Sequence, residues 1–242
     1  MVTIFAFFDG ITGLAVLILG VIFGSIFVGR FLQTKKSLNL HVGIVLILLG
    51  SLYLGMTASF ISLVVTGNPL DVILHGYLAY TVTPVAIIDA MYLGFRIFNP
   101  ARTKLVVAVY MVIGIVYYIF WFGFPTEMIA STVVQPGDLP DISLLSVALG
   151  ITVFYIASAL IVLGGGFYLL QKKKVGEYQK YMRQITVGFV LFAIAAILDT
   201  AITSPLEAIA RIIMIVAFWL LYRGFSGNRG KTEEAVEEIQ SV

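Results

Sequence analysis

The chain has 242 residues, of which 60% are hydrophobic and only 12% are charged. Soluble domains carry about 25% charged residues, so this composition excludes an ordinary soluble protein and indicates an integral membrane protein. The net charge of +2 is explained by basic loops rather than by nucleic-acid binding, and the lack of cysteine excludes disulfides, thiolate catalysis and thiolate metal sites.

Apolar segments that are long enough to cross a bilayer core, about 20 residues each, recur along the whole chain. We predict seven spans, at residues 3–29, 39–66, 73–97, 104–124, 143–171, 184–202 and 205–224. The first is expected to be retained, because its apolar run is too long for a signal peptide and no basic segment precedes it. The predicted fold class is therefore all-α, with a seven-transmembrane helix bundle at 1–225 and a polar tail at 226–242.

The positions of lysine and arginine predict the sidedness of the bundle. Fourteen of the fifteen lie on segments that connect, or end, the spans at one side of the membrane. Because cytoplasmic loops carry the excess of these residues, the N-terminus is predicted to be outside and the C-terminus in the cytoplasm. The expected location is the plasma membrane.

The remaining basic residue, Arg211, lies inside the seventh span, about 9 Å from its start at 1.5 Å per residue. A charge at this depth costs about 2.5–3.5 kcal/mol or more and normally has a partner. Asp9, His75, Asp199 and Glu207 are predicted at the same outer depth. These residues form either a buried ion-pair network or an outward-facing pocket for a polar ligand or ion. A third interpretation is that Arg211 snorkels to the surface.

A second polar pair is predicted nearer the cytoplasm. Asp89 lies in the inner half of the third span, and its nearest candidate partner is His41, at the inner start of the second. The pair is either a neutral hydrogen bond between helices or a proton relay, because intramembrane acids and histidines mark proton paths. Pro84 is expected to free a carbonyl and bend its helix, whereas no broken helices are expected elsewhere.

Two further patterns concern packing. Gly20-Val-Ile-Phe-Gly24 in the first span matches GxxxG, which favours a packing seam inside the bundle, with a dimer face as the alternative. Aromatic residues crowd the fourth span and are interpreted mainly as an interfacial belt. They are Tyr110, Tyr117, Tyr118, Phe120, Trp121, Phe122 and Phe124.

Two of the spans resemble helices of the microbial rhodopsins, which also have seven spans and an outer N-terminus. Thr81-Val-Thr-Pro-Val-Ala-Ile-Ile-Asp89 is similar to that family's third helix. The resemblance implies that Asp89 stands at the cytoplasmic proton-donor position and Pro84 at the helix-bending proline. Glu207-Ala-Ile-Ala-Arg211 falls where the family has an Asp and, four residues on, the retinal lysine.

The departures from that family bear on the cofactor. Arg211 replaces the retinal lysine, stays protonated and cannot form the imine. Leu78 stands at the counter-ion position, and the sixth span has no Trp or Tyr to wall a polyene. The resemblance thus implies the fold and argues against retinal, and no cofactor is expected. The last two spans and the end Tyr-Arg-Gly-Phe also resemble uncharacterised seven-helix archaeal membrane proteins and the membrane sensor modules of some histidine kinases.

Three functions stay open. The first is a retinal-free sensor or receptor-like protein whose basic inner loops contact a signalling partner, in the cytoplasm or the membrane. The second is a small transporter or ion or proton channel, and the third is a structural or accessory subunit. No enzyme is expected, because no span carries paired catalytic carboxylates, metal-spaced histidines or a Ser/His pair. The expected partners are the lipid bilayer, a signalling protein and a second copy of the chain, but no nucleic acid.

Overall fold

The computed structural model describes residues 2–125, 129–131, 136–140, 142–144, 146–173, 175–201 and 207–227. The first helices are α1 (Ile4–Thr34), α2 (Ser37–Ser51), α3 (Leu54–Thr66), α4 (Val72–Tyr80) and α5 (Thr83–Phe98). After a 3-10 turn at Pro100–Arg102 come α6 (Thr103–Gly123), α7 (Ser146–Lys172), α8 (Gly176–Ala201) and α9 (Glu207–Gly227). Between α6 and α7 lies an antiparallel ladder of β1 (Ile129–Ser131) and β2 (Ile142–Leu144).

The described helices account for a multi-span membrane protein. Six helical segments are long and apolar enough to cross a membrane: α1, α4 with α5, α6 with its preceding turn, α7, α8 and α9. The bent pair of α2 and α3 gives a seventh if it is counted as one span. The all-α class is therefore confirmed, whereas the sidedness of the termini stays a prediction. Most of the predicted polar tail lies outside the described residues.

Successive spans run in opposite directions and pack into one bundle. Helix α1 contacts α2, α3 and α9, helix α5 contacts α2, α6 and α7, and α8 packs between α7 and α9. We call the end at which α1 begins the outer end, and the end at which α1 finishes, beside the basic loops, the inner end. At the outer end Thr3 N–H donates to the Gly137 carbonyl at 2.8 Å.

The small residues of α1 form a seam with α2. A Cβ built on Gly20 would lie 2.7 Å from the Gly50 Cα, and one on Gly43 would lie 2.8 Å from the Gly24 carbonyl oxygen. Only glycine permits backbones to approach this closely. The GxxxG pattern therefore forms an internal packing surface, and the face that would dock a partner is already covered by α2.

Two spans are interrupted beside each other, which corrects the expectation that the only bend would be at Pro84. The second span bends by 45° between α2 and α3. Here Ser51 Oγ donates to the Ile47 carbonyl at 2.8 Å, a competition that often bends helices. Tyr53, at the break, donates its N–H to the Gly50 carbonyl at 3.1 Å, a tighter turn than an α-helix makes.

The third span is interrupted between α4 and α5, at residues 81–82, and Asp89 lies in α5 beyond the break. Pro84 has no N–H to donate, so the carbonyl of Tyr80 loses its helical partner. Tyr117 Oη donates to that carbonyl at 3.3 Å, and Tyr118 Oη donates to the Thr81 carbonyl at 2.7 Å. The interfacial-belt interpretation is therefore wrong for Tyr117, which is fully buried.

Candidate functional site

Arg211 lies at the centre of a buried ion-pair cluster near the outer end. Its Nη2 donates to Glu207 Oε2 at 2.6 Å, and its Nη1 lies 3.1 Å from Asp9 Oδ1. Its Nε lies 3.0 Å from Asp199 Oδ1. The side chain is only 1% exposed, so the snorkelling interpretation is wrong. We call these four residues the Arg211 cluster.

Three separate helices contribute to the Arg211 cluster. Glu207 and Arg211 are four residues apart on α9 and so share one face of that helix. Asp9 comes from α1, and it also accepts a hydrogen bond from Nη1 at 3.3 Å through its backbone carbonyl. Asp199 comes from the outer end of α8. The planar fork of the guanidinium, with five N–H donors, can serve three acceptors at once. The cluster therefore fastens α1, α8 and α9 together.

The cluster contains more acid than base. Three carboxylates surround one guanidinium, which leaves an excess of two negative charges when all three are ionised. The local charge of these four residues therefore favours a cation over an anion.

Tyr53 connects the cluster to the break in the second span. Its Oη donates to Asp199 Oδ2 at 2.8 Å and lies 2.9 Å from Met214 Sδ. The Arg211 guanidinium carbon is 5.9 Å from the centre of the Tyr53 ring, within cation–π range. Tyr53, in the break between α2 and α3, is thus held by the same carboxylate that contacts Arg211.

A cavity of about 90 Å³, which we call the outer cavity, adjoins this connection. Its polar lining comprises Tyr53, His75, Tyr80, Thr83 and Asp199. This volume is large enough to hold water, and several polar partners are present to bind it. The walls include Leu52 and Tyr53 in the α2–α3 break and residues on both sides of the α4–α5 break, so a movement at either break changes the shape of the cavity.

His75 belongs to the outer cavity but not to the ion pairs. Its Nδ1 lies 3.0 Å from Ser59 Oγ, and the residue is 4% exposed. The structure thus brings Asp9, Asp199, Glu207 and Arg211 into direct contact and places His75 on the cavity wall. Ligand binding at any of them stays a prediction.

The second predicted pair also meets. His41 Nδ1 lies 2.7 Å from Asp89 Oδ1, and both side chains are partly exposed, at 24% and 16%. The His41 ring packs on Tyr92 with centroids 4.5 Å apart, and Arg96 donates to the Tyr92 hydroxyl at 3.1 Å. We call this the inner pair. Its contact with the basic inner end is through Tyr92, and a role as a proton relay stays a prediction.

A smaller cavity of about 40 Å³ lies between the two polar sites. It shares Leu52, Thr83 and Ile156 with the outer cavity and extends inward to Ala90, the neighbour of Asp89. Apart from Thr83 its lining is apolar, and apolar cavities of this kind stay dry. The outer cavity and the inner pair are therefore separated by an apolar zone.

Sequence reasoning missed the roles of three residues that shape this site. The hydroxyls of Tyr117 and Tyr118 donate to the carbonyls at the α4–α5 break. The sequence offers one signal for this contact: Pro84 frees a carbonyl, and the neighbouring span carries tyrosine hydroxyls that can donate to it. Met214 was missed because a thioether on an apolar helix gives no signal. Among the described residues no group of three or more His, Asp or Glu is arranged to hold a metal ion.

A comparison with protein-family models finds no match, and a comparison with curated proteins finds none either. The resemblance to microbial rhodopsins is therefore supported only at the level of an all-helical bundle with several apolar spans. Any function has to be argued from the geometry of the Arg211 cluster and the outer cavity.

Proposed function

We propose that this protein is a retinal-free seven-helix membrane sensor or receptor-like protein. Its ligand site is the outer cavity, and its switch is the pair of helix breaks that form the cavity walls. The observation that carries the proposal is the bond from Tyr53 to Asp199. This bond joins the Arg211 cluster, the cavity and the 45° bend of the second span in one contact.

The size and charge of the site define the class of ligand. A volume of about 90 Å³ admits a small ion or a small amine but no large organic molecule. The acids of the Arg211 cluster outnumber its base, which favours a cation over an anion. The rings of Tyr53 and Tyr80 line the cavity, and aromatic faces attract ammonium groups.

Ligand binding must change a two-state packing arrangement to count as sensing. A cation at Asp199 Oδ2 competes with the Tyr53 hydroxyl, which now lies 2.8 Å from that oxygen. Release of Tyr53 removes a restraint on the α2–α3 bend, and the change is carried along α2 to the basic inner loops. Those loops are the proposed contact for a signalling partner. No enzymatic step is part of this proposal.

The test is thermal unfolding of the purified protein in lipid nanodiscs with ethylammonium, tetramethylammonium or sodium as chloride salts. Occupancy at a hundred times the dissociation constant stabilises the folded state by about 2.7 kcal/mol. We expect one of these cations to stabilise the wild type and to lose its effect in Asp199→Asn. Asp71→Asn is the matched control, because Asp71 carries the same charge on the exposed cap of α4.

Two outcomes would count against the proposal. Equal stabilisation of the wild type and Asp199→Asn would show that the cation acts elsewhere. A complete lack of stabilisation by all three cations, in a protein whose Asp199→Asn variant is folded, would leave the Arg211 cluster with a structural role only.

A second candidate function is proton or ion transport. It is favoured by the adjoining cavities, which lead from Asp199 to the neighbour of Asp89. The apolar zone between them opposes a continuous water path in this conformation, so transport requires the helix breaks to move. Proton flux into liposomes that disappears in Asp89→Asn supports transport, and flux no greater than in protein-free liposomes excludes it.

A further inference from the structure

A groove on the outside of the bundle lies apart from both polar sites, near the inner end. It runs between the last turns of α5 and the second half of α7, and its volume is about 410 Å³. Ligand sites in proteins span about 300–1,000 Å³, so this groove is large enough for an organic ligand. We call it the inner groove.

The walls of the inner groove are apolar and face the surroundings of the bundle. Ile161 is 73% exposed and Leu169 is 61% exposed, and Phe95 and Phe98 line the opposite side. In a membrane such exposed apolar side chains meet lipid tails rather than water. The natural occupant of the groove is therefore a hydrocarbon chain.

The glycine run in α7 gives the groove its depth. A Cβ built on Gly166 would lie 2.5 Å from the Phe98 ring, so this glycine is needed to seat Phe98. A Cβ built on Gly165 would meet nothing within 4 Å. Gly165 therefore has no packing partner to accommodate, and the space beside it belongs to the groove.

The mouth of the groove is polar and basic. Lys173 and Asn99 line it at the end where α7 and α5 finish. Lys172 directly precedes Lys173, and its Nζ lies 4.7 Å from the Tyr168 ring centre. Basic pockets between transmembrane helices on the cytoplasmic side are recognised sites for anionic lipid headgroups. The apolar body and basic mouth therefore match the two halves of one anionic phospholipid.

We propose that the inner groove binds one anionic phospholipid. An acyl chain occupies the space over Gly165, and the headgroup phosphate contacts Lys173 and Asn99. The site is independent of the outer cavity and of the proposed sensing function. It is an ordered lipid position, distinct from the general annulus, because both its depth and its charge are set by particular residues.

Native mass spectrometry of protein equilibrated with phosphatidylglycerol or phosphatidylcholine provides the test. We expect the wild type to retain one phosphatidylglycerol molecule more tightly than phosphatidylcholine. Gly165→Leu fills the groove and abolishes that retention, whereas Gly29→Leu leaves it intact, because Gly29 is a helical glycine of α1 that also has nothing within 4 Å of its Cβ position. If Gly165→Leu does not fold, Gly165→Ala is expected to weaken retention in part.

The contribution of the Lys173 charge to lipid binding is tested by comparing two lysines of the same basic region. Lys173→Gln is expected to weaken phosphatidylglycerol retention about fivefold, the effect of about one basic residue at a membrane surface. Lys180→Gln is the matched control, because Lys180 is exposed and lies outside the groove. Equal loss in both lysine variants would reduce the effect to general surface attraction and overturn the proposal.

Three other results would also overturn it. Unchanged retention in Gly165→Leu would show that the lipid sits elsewhere. Retention of phosphatidylcholine equal to that of phosphatidylglycerol would show that the groove binds an acyl chain without selecting for the headgroup. Competition by glycerol phosphate at the same concentration as the lipid would show that a free phosphate, rather than a lipid, is the ligand.

Discussion

The two polar sites of the bundle differ in how their charges are held. Arg211 is 1% exposed and contacts acids from three helices, whereas His41 and Asp89 are partly exposed and form one contact between two helices. Removing one partner of a buried ion pair costs about 3–5 kcal/mol, but exposed pairs contribute about 0–1 kcal/mol. Charge is therefore expected to hold the fold together at the outer end and to contribute less to stability at the inner pair.

The largest effect is expected from Arg211→Ala. It leaves three carboxylates without their shared cation, so the free energy of unfolding should fall by about 3–5 kcal/mol. SDS-driven unfolding followed by tryptophan fluorescence measures it. Arg223→Ala is the matched control, because Arg223 is an exposed arginine of the same helix. An unfolding midpoint for Arg211→Ala equal to that of Arg223→Ala would remove the distinction between the two ends.

The next effect concerns the link between the cluster and the α2–α3 bend. Tyr53→Phe deletes the hydroxyl that lies 2.8 Å from Asp199 Oδ2. A hydrogen bond to a charged group contributes about 1.5–3 kcal/mol, so we expect a loss of that size. In Asp199→Asn the same change should cost less, because the acceptor is neutral there. Strictly additive losses in the double variant would show that the two residues do not interact.

A smaller effect is expected at the second helix break. Tyr117→Phe removes the hydroxyl that bonds the Tyr80 carbonyl, at a net cost of about 0.5–1.5 kcal/mol. In a Pro84→Ala background an alanine N–H can bond that carbonyl, so Tyr117→Phe should cost less than in the wild type. An identical loss of unfolding free energy in both backgrounds would show that Tyr117 does not stabilise the carbonyl that Pro84 frees.

The smallest stability change is predicted for Asp89→Asn in the inner pair. An asparagine keeps the hydrogen bond to His41, and the pair is partly exposed, so stability should change by about 1 kcal/mol or less. The measurement is the same SDS titration. A loss as large as that of Arg211→Ala would contradict the contrast between the two ends of the bundle.

Much of this arrangement follows from one-dimensional rules. Span lengths and lysine positions give the bundle, and the four-residue spacing gives the contact between Glu207 and Arg211. The contact of His41 with Asp89 follows from two polar groups at one depth on neighbouring spans. In each case the position of a residue in a span predicts its depth in the bilayer, because a helix rises by about 1.5 Å per residue.

Sequence position does not show which way a side chain faces around the helix axis within the bundle. The sequence predicts the depth of Asp9, but only the packing of α1 against α9 turns its side chain toward Arg211. The bend at Tyr53 contains no proline that would indicate it in the sequence. It is accompanied by the hydrogen bond from the Ser51 hydroxyl to the Ile47 carbonyl. The position of Tyr117 in the sequence predicts an interfacial residue, because nothing in the sequence indicates that the Tyr80 carbonyl lies within reach of its hydroxyl.

Access to the outer cavity can be measured directly, because the chain contains no cysteine. Ala79 lines the outer cavity and Ala90 lines the apolar inner one, so Ala79→Cys and Ala90→Cys form a matched pair. A membrane-impermeant cationic thiol reagent applied from outside intact cells should modify Ala79→Cys and leave Ala90→Cys unmodified. An unreactive Ala79→Cys variant, or one that reacts only from the cytoplasmic side, would contradict an outward-facing cation site beside Arg211.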